Sequence, residues 1–210
     1  MNIAAEVAKK LLQINAIKLS PQKPFTWASG LKSPIYCDNR MIPSYPEIWR
    51  FVINCFEQKA KNFEPFDVIA GVATGGIPHG ALLAERLNLP FVYVRATAKE
   101  HGRQNMVEGD VKKGARVLMI EDLISTGKSS LAAVDAIRAL GAEIAALLAI
   151  FSYGFEQATQ NFEAAHCPMD TLTNYPTLLE EAIKSKAIQA SDLKTLQQWR
   201  ENPAAWSEAL

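Results

Sequence analysis

Between Val117 and Ser130 the chain runs VLMIEDLISTGKSS: an apolar stretch, two adjacent carboxylates, then a hydroxyl-rich turn that leads into a helical pattern. A turn at a helix start presents unpaired backbone N–H groups, and these bind phosphate with the help of the helix dipole. Gly127 permits close backbone approach, Ser125, Thr126 and Ser129 add hydroxyl donors, and Lys128 adds a cation. Glu121 and Asp122 have a different use. Carboxylates accept hydrogen bonds, and a ribose diol beside the phosphate is a group that donates them. Two commoner nucleotide motifs fail by spacing. A Walker loop needs a glycine where Asp122 stands, and Gly71, Gly75 and Gly76 do not match the dinucleotide fingerprint. The alternative is an ordinary strand, turn and helix capped by Asp122 or Ser125.

Positioning these groups requires a rigid frame, and the hydropathy pattern describes one. Residues 3–17 place Ile3, Val7, Leu11, Leu12 and Ile14 on one helical face. From Ser20 to Pro46 the Pro, Ser and aromatic content suits short strands and turns, and Pro46 opens a second helix. Then apolar runs and helical patterns alternate: a strand at 67–73, a helix through Leu82, Leu83 and Leu87, and a strand at 89–94. A polar stretch at 95–114 separates these from a strand at 116–120. The helix at 129–140 turns Leu131, Val134, Ile137 and Leu140 inward, Gly141 caps it, and a buried strand follows at 144–151. Such alternation predicts an α/β protein with a central parallel sheet. Residues 155–210 read as mostly helical.

Composition narrows the function classes. With 22 basic and 22 acidic side chains the net charge is zero, which removes the electrostatic footprint of a general nucleic-acid or anionic-membrane binder. The longest uninterrupted apolar run, Ile144 to Phe151, is far too short to cross a bilayer, and MNIAAEVAKK lacks a signal peptide's apolar stretch. Cys37, Cys55 and Cys167 are far apart and in no Cys-x-x-Cys pair. Their odd number fits a reducing cytoplasm, without a disulfide framework or a zinc site.

The segment 117–130 resembles the phosphoribosyl diphosphate (PRPP) binding signature of type I phosphoribosyltransferases. Together with Phe25 to Arg40 (FTWASGLKSPIYCDNR) and Arg95 to Gly102 (RATAKEHG), in that order and spacing, it is similar to the orotate phosphoribosyltransferase family. The resemblance implies a type I α/β fold over residues 1–210, with a mainly parallel sheet flanked by helices. A core of about 46–154 would carry a small hood made of about 1–45 and part of 155–210. It further implies transfer of phosphoribose from PRPP to orotate in pyrimidine biosynthesis, with magnesium carried by PRPP oxygens and waters, in a homodimer with shared active sites. A purine phosphoribosyltransferase and a PRPP-sensing regulator of the same fold are the rival readings.

On this resemblance Thr74, Gly75 and Gly76 meet pyrophosphate, though a plain helix-entry turn is the alternative. Arg95, Lys99, His101 and Arg103 belong to a lid, or else to a solvated hairpin; the family's loop lysine and histidine fall on Lys99 and His101. With Asp122 these two form the expected catalytic set. Orotate adds a carboxylate to a flat ring, so Tyr36, Arg40, Lys32 and Ser125 are expected around it. Tyr36 could instead serve packing and Arg40 a surface ion pair. The chain departs from the better-known bacterial form at Ala28, Gly75 and Ala96, where that form has lysines, and at Ser152, where it has an arginine. Arg40 and Lys99 are the expected replacements.

Overall fold

The computed structural model describes residues 2–27, 29–97 and 106–210. The chain opens with α1 (Ile3–Gln13), capped by Asn2, whose side chain accepts from the Ala5 N–H. This helix stops short of the predicted residue 17, because Asn15 adopts a left-handed φ of 56° and turns the chain into a strand. Four short strands follow: β1 (Ile17–Leu19), β2 (Phe25–Thr26), β3 (Lys32–Ser33) and β4 (Ile35–Cys37). They form two antiparallel ribbons, β1 with β4 and β2 with β3. A 3₁₀ turn at Asn39–Ser44 leads into α2 (Pro46–Ala60), which Pro46 opens as expected.

The core comprises β5 (Val68–Val72), α3 (Gly76–Leu87), β6 (Phe91–Val94), β7 (Val107–Glu108), β8 (Arg116–Ile124), α4 (Lys128–Arg138) and β9 (Glu143–Ser152). Beyond it the chain runs through α5 (Glu156–Ala164), β10 (Met169–Asn174), α6 (Tyr175–Lys184), α7 (Leu193–Glu201) and α8 (Pro203–Glu208). The six-stranded sheet has the order β10-β9-β8-β5-β6-β7, parallel throughout except for β7 against β6. Its central strands are apolar on both faces, as a sheet covered by helices on both sides requires. Leu118, Ile120, Ala146 and Leu148 pack toward α1, α2 and α3, whereas Val117, Met119, Leu147 and Ala149 pack toward α4 and α5.

Two departures from the predicted pattern bear on the site. Strand β8 runs on through Glu121 and Asp122 to Ile124, pairing in register with β9 from Leu118 opposite Ala146 to Ile124 opposite Ser152. The acidic pair therefore sits inside the sheet ladder rather than beyond its end. Residues 169–174, read as part of a helical stretch, form the parallel edge strand β10. Its sequence MDTLTN has neither an apolar run nor strong alternation, so pairing with β9 decides its conformation.

The connections on either side of β5 and β8 diverge. Helix α3 leaves β5 toward one face, burying Leu83 and Ala84 there, and α4 leaves β8 toward the other, burying Val134 and Ile137. Strands β5 and β8 are hydrogen-bonded neighbours, so a crevice must open beyond their carboxyl ends. Ligands of open α/β sheets bind at such a switch point.

Candidate active site

A cavity of about 610 Å³ occupies that crevice. Its walls come from three segments far apart in sequence: Cys37, Asp38 and Arg40; Ala73, Thr74 and Gly75; and Glu121 to Leu123 with Ser125 to Ser129. Two of these segments are the turns singled out by sequence, and they meet because β5 and β8 are adjacent.

The phosphate-type turn has the expected form. Gly127 has φ +78°, and no side chain caps the start of α4, whose first turn faces the cavity. Gly127 is also required sterically, since a Cβ there would come within 2.6 Å of the Phe162 ring. Helix α5 braces the turn a second time, where Asn161 Nδ2 donates to the Thr126 carbonyl at 2.8 Å. Ser129 is exposed toward the cavity, while Ser130 is buried and turned the other way.

The two carboxylates are not equivalent. Glu121 is 5% exposed. One of its oxygens accepts from the Asp122 backbone N–H at 2.9 Å and the other from Ser130 Oγ at 3.0 Å. Burial, followed by the neighbouring Asp122 carboxylate, pushes its pKa up to about 9. Asp122 is the more accessible member of the pair, and its backbone carbonyl accepts from Asn39 Nδ2 at 2.7 Å. That bond ties the segment carrying Asp38 and Arg40 to the acidic strand.

The other wall leaves no room for a side chain. A Cβ on Gly75 would lie 2.2 Å from Asp122 Cγ, so the lysine of the better-known bacterial form could enter here only by displacing Asp122. Gly76 does not line the cavity. Its Cβ would stand 2.2 Å from the Ile120 carbonyl oxygen, and its smallness lets the start of α3 lie directly on β8.

Several expected residues lie elsewhere. Arg40 reaches the cavity but is ion-paired to Asp38 at 2.6 Å with 65% of its side chain exposed. The hydrogen bond from Arg40 holds Asp38 below the usual carboxylate range. Tyr36 is exposed and holds its ring tilted against Phe25, with centroids 5.8 Å apart, outside the cavity lining. Lys32 Nζ donates to Thr26 Oγ1 and its backbone N–H to Ser207 Oγ, so it belongs to the contact between the β2–β3 ribbon and α8. Arg95 pairs with Glu108 at 3.6 Å and does not line the cavity. Ser152 Oγ accepts from the Gly154 N–H. Lys99, His101, Arg103 and Ala28 lie outside the described residues. His79 is buried beside Trp49, whose Nε1–H donates to its Nδ1 at 3.1 Å, and burial lowers its pKa to about 4.

Comparison with known proteins agrees with this geometry. The phosphoribosyl transferase domain model matches residues 41–171, more than half of the chain, and the chain belongs to that family. It is 52% identical over 206 residues to the orotate phosphoribosyltransferase of Bacteroides fragilis, covering 98% of this chain and 97% of the relative. Against the orotate phosphoribosyltransferase of Listeria innocua the identity is 47% over 209 residues, 99% of this chain and all of the relative. The crystal structure of orotate phosphoribosyltransferase from Aeropyrum pernix superposes with a TM-score of 0.75 at 29% identity, covering 83% of this chain and 97% of that one.

Proposed function

We infer that the protein is an orotate phosphoribosyltransferase, which joins orotate to PRPP and releases pyrophosphate and orotidine 5′-monophosphate. The observation that carries this reading is the cavity at the β5–β8 switch point: an uncapped helix start, an acidic pair and a glycine turn share one wall system. Near-full-length identity of about half to curated enzymes of that name supports orotate as the base.

Residues 125–129 hold the 5′-phosphate through backbone N–H groups and hydroxyls. Asp122 accepts from the ribose diol and stabilises positive charge developing at the anomeric carbon as pyrophosphate departs. Thr74 and Gly75 present backbone to pyrophosphate. The base lies toward Arg40, under a hood formed by the N-terminal ribbons with α7 and α8, whose Trp199 meets Trp27 at 5.8 Å. Among the described residues no three His, Cys, Asp or Glu side chains converge as a metal cage. Magnesium is proposed to ride on PRPP oxygens and waters, because it prefers phosphate oxygens and keeps its hydration, with Asp122 the carboxylate at hand; when bound it would neutralise pyrophosphate.

Lys99 and His101 are proposed to reach the leaving pyrophosphate from the neighbouring subunit of a homodimer. Mixing Lys99→Ala with Asp122→Asn chains tests this. Free exchange makes half the dimers mixed, each with one intact site, so about one quarter of wild-type activity returns. No recovery despite verified exchange refutes a shared site. A cytoplasmic location is proposed on the three free cysteines; no helix among the described residues is long and apolar enough to cross a membrane.

The base assignment is tested by PRPP-dependent loss of orotate absorbance, run beside adenine, hypoxanthine and uracil. Orotate is expected to be consumed only with both PRPP and magnesium present. Equal or faster turnover of a purine overturns it.

A further inference from the structure

Asn39 begins the 3₁₀ turn that follows β4 and is only 1% exposed, although its chain neighbours Asp38 and Arg40 both line the cavity. Its amide reaches β8, where Nδ2 donates to the Asp122 backbone carbonyl at 2.7 Å. Among the described residues its Oδ1, also buried, has no hydrogen-bond partner. Turning the amide over would bring two acceptors together, so the donor must face the carbonyl.

An asparagine so placed is a poor choice for packing. Burying an amide with its acceptor unsatisfied costs stability, and an apolar side chain of similar volume would avoid that cost. His79 Nε2, Thr173 Oγ1 and Trp199 Nε1 share the defect among the described residues, but none of these residues lines the cavity or adjoins one that does. The segment that carries Asn39 is itself firmly seated. The Asp38 N–H donates to the Ala16 carbonyl at 2.7 Å, the Met41 N–H to the Asp38 carbonyl at 3.3 Å, and Ile42 is wholly buried. A bond from such a segment restrains the strand end it meets. The restraint falls where it matters, because the Asp122 carboxylate lies so close to Gly75 that a Cβ there would come within 2.2 Å of Cγ. A small displacement of the Asp122 backbone therefore moves the carboxylate relative to the pyrophosphate turn.

We propose that Asn39 is a positioning residue, which aligns the Asp122 carboxylate with the anomeric carbon and links that alignment to the segment that meets the base. The proposal rests on the orotate reading above. Through one hydrogen bond, the Arg40 segment and the carboxylate that answers the developing positive charge are braced against each other.

Asn39→Leu removes the donor and the unsatisfied acceptor and keeps the volume. Its kcat is expected to fall about three- to tenfold and its KM for orotate to rise, while KM for PRPP, set mainly by the phosphate contacts of residues 125–129, stays within about twofold. A double-mutant cycle separates positioning from packing. In an Asp122→Asn background the same substitution should cost less than about twofold, because the charge being positioned is gone. Parent-like kcat, or an undiminished loss in the Asp122→Asn background, overturns the proposal. Where Asn39→Leu does not fold, Asn39→Ala carries the same cycle with the same two readings. Failure of the parent to consume orotate overturns the function instead, so the two failures are separable.

Discussion

Glu121→Gln isolates what it takes to keep an acid inside the sheet. In the ligand-free protein the Glu121 carboxyl has a pKa of about 9, against 4.5 when unfolded. A folded-state value raised in this way means stability fully present below pH 4.5 and lost as pH climbs toward 9, because the unfolded chain releases the proton first. The slope is about 1.4 kcal/mol per pH unit. His79 works in the opposite direction. Its value falls from 6.5 to about 4, so its contribution is present above pH 6.5 and lost as pH falls through 4. Between pH 4.5 and 6.5 the two slopes oppose and largely cancel. Above pH 8 the buried thiols Cys55 and Cys167, both pushed up to about 11, begin to contribute. The clean window is pH 6.5 to 8, where, among the described residues, Glu121 alone removes about 2 kcal/mol. Urea denaturation of the ligand-free parent across that window should show this decline, and Glu121→Gln, which can still accept from the Asp122 N–H, should be flat and more stable at pH 8. Parallel parent and variant curves from pH 6.5 to 8 would refute the argument that Glu121 is buried uncharged.

Asp122→Asn keeps shape and removes charge beside the ribose; loss of a charge-assisted bond lowers kcat/KM roughly ten- to over a hundred-fold, measured by initial rates at varied PRPP. Activity near wild type with unchanged PRPP dependence contradicts the assigned role. Arg40→Ala should raise KM for orotate far more than KM for PRPP, since the exposed guanidinium stands at the rim nearest the proposed base site. Unchanged orotate dependence leaves Arg40 with its Asp38 pair alone.

Features decided within a few neighbours were legible in the chain itself. The β8–α4 segment announced its glycine turn and its carboxylates, and the apolar runs of β5, β8 and β9 announced a sheet buried on both faces. What stayed hidden are pairings between distant positions. Asn39 meets Asp122 across 83 residues, and Asn161 meets Thr126 across 35; neither asparagine stands out by type or spacing. Lys32 and Tyr36 were attractive as donor and aromatic, but the ribbons turn Lys32 toward Thr26 and Tyr36 toward Phe25.

The acidic pair shows why residue type alone could not assign roles. In the chain Glu121 and Asp122 are equivalent neighbours, and strand alternation is what separates them. One step along β8 sends Glu121 into the layer beneath the cavity, against Ser130, and Asp122 toward its opening, against Gly75. The buried member then bonds the backbone N–H of the exposed one, so Glu121 steadies the residue it cannot replace. Asn39 grips the same residue by its carbonyl from the opposite side. Asp122 is thus held by its backbone N–H and by its backbone carbonyl, a preorganisation suited to a carboxylate that must meet positive charge only when pyrophosphate leaves. The destabilisation carried by Glu121 at neutral pH is consistent with selection for that geometry over stability.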